Sequence, residues 1–206
     1  MINKNYKYLF LEKVVLGRKT KINNSDEVIT KCISLAFDDM LTIGRFYLGE
    51  NITDKNGNIK NNLKKEEKIK QLHALLADNN YQNPRQIIEN GLTIFGYENE
   101  IRSEKKKEIV TRYGLCQKLV NMTFKYLYVF SDYTGINIDF SSCDCPLDSV
   151  ILKRLGQTNV KWSRLTKKEY DDIQNKIKEE LQKDNRYKNN KELKNIGNLA
   201  YDFLNW

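Results

Sequence analysis

Lys118 and Asp148 are the two residues whose setting could do chemistry. Lys118 stands in Tyr113-Gly114-Leu115-Cys116-Gln117-Lys118-Leu119-Val120-Asn121-Met122-Thr123-Phe124-Lys125-Tyr126-Leu127, the most apolar helical run of an otherwise polar chain. At about 100° per residue, Lys118, Asn121, Lys125 and Asp132 fall within about 60° of one another. Apolar side chains cover most of the remaining circumference. An ammonium on such a helix, beside a second one at Lys125, loses solvation and meets like charge, so its pKa should fall. A partly neutral amine is what a lysine nucleophile requires. Asp148 follows Cys145-Pro146-Leu147, where the proline should open a helix with Asp148 as its third residue. First-turn amides and the helix dipole favour a charged carboxylate there, and such a group can stabilise positive charge that develops nearby in a transition state. Both residues also have plain structural readings. The stripe could be the one polar strip of a core helix, and aspartate is common in first turns for capping alone.

A helix that is apolar nearly all round is a central one, so its two lysines must face a cleft, a partner or water. The elements around it are mostly helical. Asn24-Ser25-Asp26-Glu27 is a helix start, and Val28, Cys32, Leu35, Ala36, Met40 and Ile43 follow at helical spacing to about Tyr47. Tyr6 to Leu16 fits strand and helix equally. The polar stretch from Glu50 to Asn62, with Asn56-Gly57 as a turn, is a candidate lobe junction within a single domain spanning 1–206. Lys64 to Ala77 is amphipathic, with Ile69, Leu72, Leu75 and Leu76 on its buried face and His73 at the core edge rather than acting as a base. Asn83-Pro84 should cap and open a helix through Ile87, Ile88 and Phe95. Ser103 should start a short one ending near Arg112, with Lys105-Lys106-Lys107 as a solvated face or a phosphate contact. After the loop from Asp132 to Asp144, the Asp148 helix runs to Leu155 and closes at Gly156. Thr166-Lys167-Lys168-Glu169 is a capping box for a long helix to about Lys183, and a last helix runs from Lys191 to about Leu204. The expected class is all-α, with about eight helices.

Composition narrows the function. The 206 residues carry 35 Lys and Arg against 27 Asp and Glu, a net charge of +8 that favours a polyanionic partner. Lysine-rich composition from an AT-rich genome has the same appearance. Four cysteines and one histidine argue against a disulfide scaffold and against a zinc site. Cys143 and Cys145 form a C-x-C pair without the further ligands a metal needs, so neither metal nor cofactor is expected. No signal-like or membrane-spanning apolar run is present, which points to a cytoplasmic protein, nucleoid-associated if it binds DNA, with no membrane partner.

Two segments, Gly114-Leu115-Cys116-Gln117-Lys118-Leu119-Val120-Asn121 and Pro146-Leu147-Asp148-Ser149-Val150-Ile151-Leu152-Lys153-Arg154-Leu155-Gly156, together resemble the signature of the helix-hairpin-helix DNA glycosylase superfamily. In that family a G-x-G-x-K-x-A-N hairpin leads into a helix, and a later P-x-D helix start supplies an aspartate. The resemblance implies a two-lobed, all-α fold and a double-stranded DNA partner. It also implies excision of a modified or damaged base, with possible lyase activity at the abasic site. Lys118 would attack the sugar C1′ of a flipped-out nucleotide, Asp148 would assist, and Gly114 would mark the hairpin whose amides grip a phosphate. Gln117, Asn121 and Lys125, with Lys153, Lys161 and Arg164 after the aspartate helix, would contact DNA. Lys167 and Lys168 are further phosphate candidates. The 30-residue separation of Lys118 and Asp148 is closer to the archaeal 8-oxoguanine glycosylase type than to the endonuclease III-like branch. Three departures stand out. Cys116 replaces the second hairpin glycine, Arg112-Tyr113 replaces Leu-Pro, and the iron–sulfur cysteines of some branches are missing. A flipped base also needs an apolar or aromatic pocket, for which Phe37, Phe46, Tyr47, Tyr126, Trp162, Tyr170 and Trp206 are candidates. The alternative is a non-catalytic helical protein of a mobile element or defence system that binds nucleic acid or another protein. The glycosylase expectation requires Lys118 Nζ and the Asp148 carboxylate to meet at one cleft, within hydrogen-bond to one-water reach.

Overall fold

The computed structural model describes residues 25–44, 61–92, 101–102, 109–110 and 113–205. The fold is all-α. Helices α1 (Ser25–Gly44), α2 (Asn61–Asp78) and α3 (Pro84–Gly91) come first. A minimal antiparallel hairpin follows, β1 (Ile101–Arg102) against β2 (Ile109–Val110), with Ile101 opposite Val110. Strand pairing thus stands at Ile109–Val110, where a helix ending near Arg112 was expected; Lys105, Lys106 and Lys107 lie outside the described residues, as do Tyr6 to Leu16, 50–60, Phe46, Tyr47, Phe95 and Trp206. The second half holds α4 (Tyr113–Val129), α5 (Ser131–Thr134), α6 (Ser149–Arg154), α7 (Lys167–Lys183), α8 (Asn185–Lys188), α9 (Lys191–Lys194) and α10 (Leu199–Asn205).

The organising element is α4. Fourteen of its 17 residues are buried, because it packs against α1, α3, α5, α7 and the 3-10 turn Trp162–Arg164. Its apolar side chains Leu115, Leu119, Val120, Phe124 and Leu127 meet Val28, Ile29, Cys32, Ala36, Phe37 and Met40 of α1, and Ile87 and Ile88 of α3, in one core. Burying each such side chain stabilises the fold by roughly 1.5–3 kcal/mol. Ile69, Leu72 and Leu76 put the predicted face of α2 into the same core, with Leu75 partly buried against it. His73 sits at the edge of that face, its Nε2 buried without a hydrogen-bond partner.

Three local expectations are revised. Asn83 does not cap α3 through its side chain; it adopts φ 54°, ψ 63°, and Asn80 and Tyr81 before it are also left-handed. Pro146 does not open α6. Residues 143–148 run extended, and Asp148 is itself the N-cap, one turn later than proline placement suggests. The final helix is broken into α9 and α10 around Gly197, whose φ is +56°. A Cβ there would lie 2.5 Å from the Ser141 carbonyl oxygen and 2.6 Å from that of Cys143, so the chain docks backbone to backbone at the break. The Asn198 amide completes the docking by donating to the Cys143 carbonyl at 2.9 Å. By contrast, the Thr166–Glu169 capping box at the start of α7 forms as the sequence implies.

Candidate active site

Lys118 and Asp148 meet. Lys118 Nζ is 3.9 Å from Asp148 Oδ2, with the lysine side chain 6% exposed and the aspartate 31%. The ammonium also lies over the Trp162 ring, 4.7 Å from its centroid. Burial lowers the Lys118 pKa below the ordinary lysine value. Asp148 opposes that shift most, followed by Asp39 and Asp202, while Lys125 adds to it by like charge. The face of an indole also favours the charged form. Burial outweighs the opposing charges, so Lys118 gives up its proton more readily than an ordinary lysine.

Asp148 divides its two oxygens between two tasks. Oδ1 accepts from the amides of Val150 at 2.9 Å and Ile151 at 3.0 Å, which caps α6. Oδ2 is left for Lys118. At the other end of α6 the Leu155 carbonyl accepts from Lys176 Nζ of α7 at 2.7 Å, placing a cation at the negative end of the helix.

The segment leading into Asp148 is held by side-chain amides from two helices. Gln117 of α4 donates through Nε2 to the Leu147 carbonyl at 2.9 Å and accepts through Oε1 from the Leu147 amide at 3.1 Å. Gln174 of α7 does the same to Cys145, donating at 2.7 Å and accepting at 3.1 Å. Both glutamines are fully buried. Just before the clamped residues, the buried Asp144 accepts from Arg85 Nε at 2.7 Å and from the Tyr170 hydroxyl at 2.9 Å. Tyr170 in turn accepts from Asn121 Nδ2 at 2.8 Å. Buried backbone groups of a loop that lacks internal pairing must find partners elsewhere, and the two glutamine amides supply them to Cys145 and Leu147.

Lys125, one helical repeat beyond Lys118 on α4, pairs with Asp202 of α10 at 2.5 Å, and both are buried. Burial raises the Asp202 pKa above the ordinary carboxylate value, and Lys125 offsets part of that rise. Asp39 of α1 accepts from the Tyr126 hydroxyl at 2.5 Å. Three carboxylates from three elements therefore surround the two ammoniums of α4.

Set against family models, curated proteins and solved structures, this chain matches none.

The predicted site residues divide into three groups: a pair, an interior set and a surface set. Lys118 and Asp148 are brought together, while Gly114, Gln117, Asn121 and Lys125 are interior. Gly114 is not at a hairpin turn but is the second residue of α4. A Cβ on it would come 2.1 Å from the Trp162 carbonyl oxygen, so its backbone faces protein where a phosphate was expected. Gln117 and Asn121 are used by Leu147 and Tyr170, and Asp132 falls on α5, off the stripe. Lys153, Lys161, Lys167 and Lys168 are exposed and Arg164 is half-buried, although Lys167 is ion-paired with Glu89. Lys161 and Arg164, with Asn159, Val160 and Glu169, line a surface concavity of about 320 Å³. Trp162, which faces Lys118, stands between those two cations in the chain. Among the candidate pocket aromatics, Phe37 and Tyr170 are sealed in the core.

All four cysteines are free and buried, and burial raises the pKa of each thiol. Among the described residues no group of three or more His, Cys, Asp and Glu could hold a metal ion, and no helix is long and apolar enough to cross a membrane. The glutamine clamps and Asp202 escaped sequence reading. The available signals were a single acid inside the apolar run Leu199-Ala200-Tyr201-Asp202-Phe203-Leu204, and Gln174 one turn after Tyr170 on the buried face of α7.

Proposed function

We propose that this protein is a DNA glycosylase that removes a modified or damaged base through Lys118, assisted by Asp148. The observation that carries the proposal is the 3.9 Å approach of a buried amine and a capped carboxylate from segments 30 residues apart. Glycosidic cleavage develops positive charge on the sugar, which an adjacent carboxylate stabilises. The neutral Lys118 amine would form a bond to C1′ as the bond to the base breaks and its electrons leave with the base. Asp148 Oδ2 stands where it can take the proton released from the new C–N–H group. Breaking of the C1′–O4′ bond, with Asp148 returning its proton to O4′, would then give an imine, the species through which the same lysine could act as a lyase. The exposed Lys153, Lys161 and Lys168 supply cationic surface for the phosphate backbone.

Borohydride trapping on duplexes that each carry one damaged base tests this. Wild type should form a covalent adduct, and Lys118→Gln should not. Equal trapping and cleavage by the variant would overturn the assignment.

A second function is favoured by one observation: Gly114, Gln117 and Asn121, which should grip DNA, are committed to the interior. In that case the protein binds nucleic acid without catalysis and the Lys118–Asp148 pair is structural. Steeply salt-dependent DNA affinity with no base release from any substrate is its signature.

A further inference from the structure

We propose that Gln117 is a positioning residue for the Lys118–Asp148 pair, holding the acid against the amine through the backbone of Leu147. The inference rests on the catalytic assignment of that pair. Gln117 precedes Lys118 on α4, and Leu147 precedes Asp148 in the extended segment. The two bonds between Gln117 and Leu147, at 2.9 and 3.1 Å, therefore tie together the residues immediately before the amine and before the acid. Gln117 Nε2 also donates to the Gly114 carbonyl at 3.0 Å, which orients its amide on the first turn of α4. On the far side Asp148 is tethered by the Val150 and Ile151 amides through Oδ1. With the backbone fixed before it and the side chain fixed after it, Oδ2 is held on the side of Lys118, 3.9 Å from Nζ.

The chemistry of the position calls for an amide. Leu147 presents a donor and an acceptor to the same side chain, and a carboxamide offers both complements on adjacent atoms while remaining neutral. Gln174 gives the internal comparison. It makes the same two-bond clamp on Cys145, from α7, and is equally buried. Its clamped residue, however, lies three positions before Asp148, and Gln174 itself is on a different helix from Lys118. A purely structural role would make the two glutamines equivalent, whereas a positioning role makes them different.

The test is the titration of Lys118 Nζ, followed by NMR in the full chain labelled with 15N-lysine. Asp148→Asn is the benchmark, because removing the nearest opposing charge lowers the Lys118 midpoint. Gln117→Met should lower it in the same direction by about half as much or more, as Oδ2 drifts from the amine. Gln174→Met should lose a similar amount of thermal stability and leave the midpoint within about 0.2 unit of wild type. Gln117→Asn, neutral and one carbon shorter, retains at most one bond to Leu147. It should move the midpoint by less, and it carries the test if the methionine variant does not fold. Equal shifts from the Gln117 and Gln174 variants, or a wild-type midpoint in the Gln117 variants, would overturn the proposal. In the trapping reaction, Gln117→Met should lower the rate at saturating duplex between about tenfold and a hundredfold with little change in KM. A wild-type protein inert on every duplex would defeat the glycosylase assignment, and the titration would still decide whether Gln117 sets the pair.

Discussion

Replacing Asp148 by asparagine separates its two tasks. Asparagine is as good an N-cap as aspartate, so the bonds from Oδ1 to Val150 and Ile151 survive and only the charge facing Lys118 is removed. At 3.9 Å two unit charges interact by about 1 kcal/mol in water and about 4 kcal/mol at an effective dielectric constant of 20. Lys118 is almost enclosed and Asp148 is a third exposed, so the pair lies between these limits. At about 1.4 kcal/mol per pH unit, the Lys118 midpoint should fall by about one to three units below its already lowered value. The sign for stability follows from proton counting. Folded Lys118 holds its proton less tightly than the unfolded residue, so between the two pKa values the unfolded chain binds more protons and stability rises with pH. Asp148→Asn extends that window downward. The variant should therefore be less stable than wild type at neutral pH, and the deficit should shrink as pH rises through the lysine window. Urea unfolding from pH 6 to 10, together with the Nζ titration, measures both effects. Asp148→Ala is the control, losing about 1 kcal/mol more from the missing cap at every pH. A Lys118 midpoint unchanged in Asp148→Asn would refute the coupling and with it the chemical role of the acid.

Gly114→Ala places a Cβ 2.1 Å from the Trp162 carbonyl oxygen and 2.9 Å from the Ser163 carbonyl carbon, both backbone. A loss of about 1–3 kcal/mol in thermal unfolding is expected, with a change in tryptophan emission as Trp162 moves off Lys118. Lys125→Met leaves Asp202 buried without its cation and should cost about 3–5 kcal/mol near neutral pH. Because the folded Asp202 pKa is raised, the folded state binds the extra proton. The deficit should be smallest in acid and grow as pH rises through that value, which acid-to-neutral chemical unfolding reads directly. Lys161→Gln should reduce the slope of log affinity against log salt for duplex DNA by about one, without altering the fold, in fluorescence-anisotropy titrations.

The helices legible in the sequence were those whose signals are local. The capping box at Thr166, the acidic start at Ser25 and the near-total burial of α4 depend on spacing within one element. The pairing of Lys118 with Asp148 was anticipated from motif order, since no periodicity links residues so far apart. What lay beyond reach depends on partners distant along the chain. Whether Lys125 faces solvent or a carboxylate is decided by Asp202, and nothing around the lysine announces it. Gln117 was expected at DNA from its place in the motif that resembles a glycosylase hairpin, and its partner proved to be a backbone segment 30 residues on. The break in the last helix was equally hidden, because Gly197 is called for by the Ser141 and Cys143 carbonyls rather than by its neighbours.

The ion pairs of α4 also carry a consequence for synthesis. Its two ammoniums are buried, yet their counterions are translated later, Asp148 30 residues after Lys118 and Asp202 77 residues after Lys125. A nascent chain that has emerged only through α7 must either leave α4 loosely packed or bury Lys125 uncompensated. Compensated burial of Lys125 therefore waits for α10, which is made after α1, α3, α5 and α7, the other helices that pack on α4.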